Sequence, residues 1–433
     1  MRHSIAKFGL GAIGMMLAAG LGVHLQAQAQ AQAPTAGGSP APAASGGGPA
    51  GWSLGAQYLQ LYDTNATLAA NPVADTSSSL NLDLQGQWQG PRWSFLAMYI
   101  PQAAAYARHP ELSYFSQSYR QFLTYSAGPH TRLTWNVQAA RYPQRAGMPG
   151  VGLAGLSGAQ SASQGLGMAS VLTTGNTSLA LNHQYSSRGS WTAGFDTQMN
   201  AFSPDRRLLA VNGSPGVSLE ESEHALSLEG SVEWRYQVAA HTSLGVSASD
   251  SDLRYTHSGP RLQYSSLAMQ IRHQIGTWSL HAGAGPSWTR NMAGIELNSL
   301  HGQGYDTEAG LTKQFGTSES GILWQHNLQP SYVPGALATD VVALQYGTQW
   351  GRNWRGSLSA GYSRESQPQA ITALRFNTKF ASASLSWQIT SAWLLQAGGS
   401  FHAQPLAFLG EGAGNLRQVE ASVGIGFHPG GVR

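Results

Sequence analysis

The chain has 433 residues, 10% of them charged and 42% hydrophobic, with a formal net charge of +3 and no cysteine. Soluble globular domains carry about 25% charged residues, helical membrane proteins are greasier than a mean hydropathy of −0.21, and disordered chains lack 13 Trp and 16 Tyr. Disulfide frameworks and a cysteine-borne lipid anchor are excluded outright, whereas a membrane barrel, whose two faces average out, meets all of these bounds.

At the N-terminus, Arg2, His3 and Lys7 precede an apolar run from Phe8 to Leu25. Ala-Gln-Ala units follow, with small-residue cleavage sites after Ala29, Ala31 or Ala33. Residues 1–33 therefore read as a secretory signal peptide, with an uncleaved anchor as the alternative because the run is long. Removing Arg2 and Lys7 takes the 24 basic residues to 22 against 21 acids, so the basic pI of 9.1 says little about nucleic acid. Residues 34–51 are an Ala/Pro/Gly/Ser linker without periodicity.

Residues 52–433 read as one barrel, because period-two alternation begins at Trp52 and persists to the end. Trp52, Leu54, Ala56 and Tyr58 alternate with Ser53, Gly55 and Gln57, and Leu80, Leu82, Leu84 and Trp88 alternate with Asn81, Asp83, Gln85 and Gln87. The scheme recurs in Leu133–Ala139, Trp191–Met199, Trp278–Ala284, Val342–Trp350, Trp354–Tyr362 and Val419–Phe427. Its clearest case is Glu223–Val238, where Leu226, Leu228, Val232, Trp234 and Tyr236 form one row and Ser227, Glu229, Ser231, Glu233 and Arg235 the other. Alternate side chains of a strand point to opposite faces, so one face is apolar and one charged. On this reading arginine is far worse tolerated at Leu228 or Val232 than at Ser231.

Two kinds of connection alternate. Short ones fall near residues 90, 128, 188, 240, 276, 317, 352 and 390. Longer ones fall near 63–77, 107–112, 142–176, 204–221, 254–260, 290–302, 334–338, 365–371 and 404–415. Eight short and nine long connections imply an all-β, antiparallel up-and-down transmembrane barrel of about 18 strands with both termini on the short-turn side. Sixteen strands stay open, because the alternation changes phase around 164–187 and 371–388. Trp88, Trp93, Trp191, Trp234, Trp278, Trp350, Trp354, Trp387 and Trp393 all lie near short turns, as an aromatic girdle at one bilayer interface would. The lipid bilayer is thus the first expected partner.

The polar row supplies the candidate lumen residues: Asp83, Arg120, Asp196, Glu229, Glu233, Arg235, Arg272, His281, Asp306, Glu308, Arg355 and Arg417. Mixed signs among Gln, Asn and Ser point to a hydrated interior without a strong field for one ion. The longest patternless segment, Tyr142–Thr174, reads as a mobile surface loop or, alternatively, as a constriction or plug in the barrel mouth. Catalytic, cofactor and metal sites are not expected: the 14 histidines form no HExxH pattern, and Ser and His are too scattered to select a nucleophile and its base. No basic patch interleaved with aromatics marks a nucleic-acid partner.

The opening from Tyr62 to Trp88, with Asp63, Asn65, Asp75 and Thr76 around its first turn, resembles porin-like outer-membrane β-barrel proteins found with exopolysaccharide export systems. The resemblance covers roughly a tenth of the mature chain. It implies a Gram-negative outer-membrane barrel, inserted by the outer-membrane assembly machinery, that serves polysaccharide passage or surface assembly. The chain departs from the usual ending on an aromatic, since His428–Arg433 extend past Phe427. Passive diffusion of small hydrophilic solutes through a water-filled channel is the leading expectation. Exopolysaccharide export and a plugged structural or adhesive barrel are the alternatives, and oligomeric state is left open.

Overall fold

In the computed structural model the described residues are 51–66, 73–144, 170–204, 224–255, 261–291, 302–330, 336–366, 375–405 and 415–428. They form the strands β1 (Gly51–Asp63), β2 (Asp75–Gln89), β3 (Trp93–Tyr106), β4 (Tyr114–Ser126), β5 (Thr131–Gln144), β6 (Ser170–Gln184), β7 (Gly189–Pro204), β8 (His224–Ala239) and β9 (Thr242–Tyr255). The second half supplies β10 (Leu262–Ile275), β11 (Trp278–Asn291), β12 (Gly302–Phe315), β13 (Ser318–Pro330), β14 (Ala336–Trp350), β15 (Trp354–Ser366), β16 (Arg375–Gln388), β17 (Trp393–Pro405) and β18 (Asn415–Phe427). A single 3-10 turn, Pro110–Leu112, interrupts the series. Each strand pairs antiparallel with its sequence neighbours, and β1 also pairs with β18, so the sheet closes on itself with 18 strands.

Strands of 13 to 16 residues exceed the roughly 9–11 needed to cross a bilayer with tilt. The phase changes that left sixteen strands open do not remove a strand. Tyr142–Gln144 extend β5 and Ser170–Thr174 begin β6, paired from Gln144↔Ser170 to Ala140↔Thr174, so the patternless segment is shorter than the alternation implies. Its remainder, 145–169, lies outside the described residues, as do the signal-peptide and most of the linker residues.

The short connections are tight because their residues suit them. Gly276 and Gly316, with φ of 57° and 61°, open the two-residue turns β10–β11 and β12–β13, at the position where a II′ hairpin turn requires a residue without Cβ. These turns lock the register, and a one-residue slip would send every apolar side chain to the wrong face.

Large apolar side chains are exposed on the outward row of nearly every strand: Leu82, Leu244, Met269, Ile322, Leu344, Leu358 and Val423 all lie open. A belt of this extent around a closed sheet is stable only against lipid. The inward rows are largely polar, with apolar exceptions that include Leu96, Met98 and Ile100 on β3 and Phe122 on β4. Serines face one another across β15 and β16, with Ser357–Ser384 and Ser359–Ser382 each 2.7 Å apart.

On β8, Val232 is 55% exposed on the outward row while Ser231 is buried at 9% on the inward one. Ser231 is therefore not the tolerant site that alternation alone suggests, because an arginine there meets a crowded inner wall. Asn182, exposed on the inward row of β6, is the better comparison. Val232→Arg and Val423→Arg are expected to cost about 2–4 kcal/mol each near the bilayer midplane, and Asn182→Arg little. Urea unfolding of barrels refolded into lipid vesicles measures the difference; equal losses at the three positions would refute the facing.

Candidate functional site

The inner wall along β8–β12 gathers most of the chemistry. Glu233 and Arg235 are two residues apart on one face of β8, and the Arg235 guanidinium donates to Glu233 Oε1 at 2.5 Å. Arg272 on β10 lies within electrostatic range of Glu233, Arg235 and Glu308, and it is registered opposite His281 of β11. Arg235, Arg272, His281 and Glu308 line one cavity, which the turn residues Arg188 and His241 carry to the short-turn end of the barrel.

Inward glycines make this arrangement fit. A Cβ on Gly310 would overlap the His281 ring at 1.9 Å, and one on Gly283 would stand 3.2 Å from Glu308 Cγ and 3.3 Å from Gln270 Cγ. Long polar side chains thus lie flat across the neighbouring strand instead of projecting into the lumen. Around the cavity Glu233 and Glu308 offset Arg235 and Arg272, while Glu229 of β8 and Asp306 of β12 add two further carboxylates to the same inner wall.

The other candidates fall in separate places. Asp196 of β7 is 2% exposed, accepts from Asn176 Nδ2 at 2.8 Å, and is registered opposite Glu229 of β8. Asp306 of β12 accepts from the Tyr264 hydroxyl of β10. Asp83 stands beside Gly55, over which His428 folds; an added Cβ there would lie 2.4 Å from His428 Nδ1. Arg120 faces inward between Met98 and Gln138, and Arg355 sits exposed at the short-turn mouth of β15.

Arg417 is a correction. It shares the outward row with Val419 and Val423, both exposed, so it faces away from the lumen near the long-loop end. At the end of β18, backbone pairing continues past Phe427, with the His428 N–H donating to Ala392 O at 2.8 Å.

Sequence reasoning missed Tyr264, Gln270 and His428. Only Gln270 carried a readable signal, since its polar position alternates with Met269 and Ile271. The other two depend on which residues sit opposite them.

The nine tryptophans lie on outward rows beside short turns. Trp52 joins them, edge-on to Trp88 at 5.0 Å; Trp354 stacks on Trp387 at 5.2 Å, and Lys313 Nζ sits 4.5 Å over the Trp278 ring. Glycine again provides the space: a Cβ on Gly356 would touch Trp350 Cζ3 at 2.9 Å. The four residues around the first turn close the barrel rim. Asp63 accepts from the Asn65 N–H at 2.8 Å and from Gln418 Nε2 at 2.8 Å, while Asp75 accepts from the Arg108 and His109 N–H groups.

No family model matches this chain. No curated protein matches it either. Among solved structures it is similar to OccK2 (OpdF) of Pseudomonas aeruginosa, solved in complex with glucuronate, at 12% identity over 88% of this chain and 98% of that one, with a TM-score of 0.45. OccK5 (OpdH) of the same organism matches at 11% identity over 88% and 98%, TM-score 0.46. The FrpB iron transporter of Neisseria meningitidis (F3-3 variant) matches at 12% identity and a TM-score of 0.41, over 81% of this chain. The chain spans only 62% of the length of that transporter. Likeness at this level leaves function to be argued from this chain's own side chains.

The mixed charges along β8–β12 set a testable sign. Glu233→Gln with Glu308→Gln leaves Arg235 and Arg272 uncompensated, and the zero-current potential in a salt gradient is expected to move toward anion preference. Arg235→Gln with Arg272→Gln is expected to move it toward cation preference. Identical potentials for both pairs would place this wall outside the conduction path.

Proposed function

We propose that this chain is an outer-membrane channel of a Gram-negative bacterium that passes small hydrophilic solutes by passive diffusion. One observation carries the reading: a closed 18-strand barrel with an apolar outer belt has a largely polar inner wall of both charge signs around a cavity reaching the short-turn end. Barrels of this strand number leave room for an aqueous path. A wall of Glu, Asp and Arg among Gln, Asn and Ser keeps that path hydrated, which suits small hydrophilic solutes.

The proposed course runs from residues 1–33 as a cleaved signal peptide, through a periplasmic linker over 34–51, to assembly of residues 52–433 by the outer-membrane machinery. The short turns then face the periplasm, and the tryptophans beside them form the girdle at the inner-leaflet headgroups, where an indole keeps its ring in the apolar zone and its N–H near water. Lys313 over Trp278 fits the same level, its stem along the belt and its ammonium at the interface.

Passage of a polysaccharide chain is the second reading. What favours it is an inward apolar ledge: Phe122 is 38% exposed beside Leu96, its register partner. A sugar ring can lie on such a surface.

Planar-bilayer recording separates these readings. A stable, ohmic conductance in the full-length mature barrel is expected, unaffected by soluble glucan oligomers if diffusion is unselective and blocked by them if saccharides are the cargo. A silent, correctly folded barrel would refute the channel. Residues 145–169 carry the plug proposal: their deletion is expected to raise single-channel conductance, and an unchanged value would dispose of the plug.

A further inference from the structure

The outward rows end differently at the two rims. Near the short turns they end in tryptophan; near the long loops they end in cations, with Arg254, Arg261, Arg290, Arg364, Lys379 and Arg417 all exposed. Three of these have acidic neighbours. Arg254 and Arg261 both grip Asp252, at 2.6 and 2.8 Å, and Arg364 is registered opposite Asp340. Arg290, Lys379 and Arg417 differ: among the described residues none of them has an ion-pair partner, and of the three only Lys379 and Arg417 share a row.

These two cations occupy one row. Lys379 of β16 is registered with Ala403 of β17, and Ala403 with Arg417 of β18. The flanking strands are thus two sheet spacings apart, about 10 Å, with only a methyl group between. Two long cationic side chains close that gap on a single phosphate, arginine through its fork and lysine as a mobile point charge. Tyr362, registered with Lys379 on the β15 side, flanks the notch but gives its hydroxyl proton to Asn377 Oδ1 at 2.9 Å.

Below the notch the wall becomes apolar without interruption. The next row is Ala381, Phe401 and Val419. The one after is Ala383, Gly399 and Ala421, a shallow trough between larger side chains. A phosphate held above a vertical apolar trough matches a molecule that has both an anionic headgroup and acyl chains. Free phosphate would use only the notch, and a second barrel would offer from its own rim Asp252 and Asp340, which are already engaged by Arg254, Arg261 and His326.

We propose that Lys379 and Arg417 form a binding site for the phosphate of an outer-leaflet phosphorylated glycolipid, its acyl chain lying against the β16–β18 trough. The lipid's source rests on the outer-membrane reading above; the phosphate chemistry does not.

The probe is bis-phosphorylated lipid A, titrated into the detergent-solubilised full-length mature barrel and read by native mass spectrometry. Chemically dephosphorylated lipid A and inorganic phosphate are the comparators. Each cation near a charged lipid surface contributes about 1 kcal/mol, so Lys379→Gln with Arg417→Gln is expected to weaken binding of the phosphorylated lipid roughly thirtyfold. The dephosphorylated lipid is expected to bind weakly and equally to both proteins. Heat-modifiable gel migration confirms that the variant is a folded barrel, and Ala403→Glu, which sets a carboxylate between the cations, is expected to abolish the same binding.

Undiminished binding by both variants overturns the site. So does equal binding of the dephosphorylated lipid, or full displacement by inorganic phosphate. Membrane fractionation of the wild-type protein is read separately: recovery away from the outer membrane overturns the glycolipid as the source, while binding that still depends on the two cations leaves a phospholipid phosphate as the ligand.

Discussion

The structure depends on closure. In hydrocarbon an unpaired backbone N–H or C=O has no water to turn to, so a sheet can cross a bilayer only if its first and last strands pair. Here that pairing runs from Ala56↔Phe427 to Asp63↔Glu420. Side chains reinforce it at the long-loop end, where Gln418 donates to Asp63 and Glu420, Ser400 donates to Glu420, and the Val419 N–H donates to the Thr64 hydroxyl. At the other end, His428 folds over Gly55 on the inner side. The buried acids Asp63 and Glu420 are therefore fastenings of the seam.

Closure also makes the two faces unequal in what they tolerate. The outer face has only shape and apolarity to satisfy, and small residues beneath Trp88 and Trp350 let those rings lie flat. The inner face is largely polar. It carries serine ladders on β15–β16 and a wall of mixed acids and arginines on β8–β12. Inward glycines permit the second arrangement, because they let long charged side chains lie along the wall.

The rims carry a further asymmetry that follows from the same geometry. Tight turns leave no room for long polar loops, so the short-turn rim is finished by aromatics. At the long-loop rim the outward rows continue above the apolar belt, and there arginine and lysine accumulate. An orientation in the membrane is thereby encoded in side chains as well as in loop lengths.

By itself, the sequence determined the barrel. Strict alternation specifies strands, the turn residues specify which connections are tight, and the alternation of short with long connections specifies an even, up-and-down strand order; all of these are local properties. It also determined which side most charged residues face, since facing follows from parity alone. Arg417 obeys the same parity, standing two residues before Val419; its facing is missed when the alternation is taken only from Val419, whereas β18 begins at Asn415. Tertiary structure alone decided which residues meet: Arg272 with Glu233, Glu308 and His281, Tyr264 with Asp306, and Lys379 with Arg417 across Ala403. Those meetings depend on inter-strand register, a sum of stagger over consecutive hairpins, and no single stretch of the chain contains that sum.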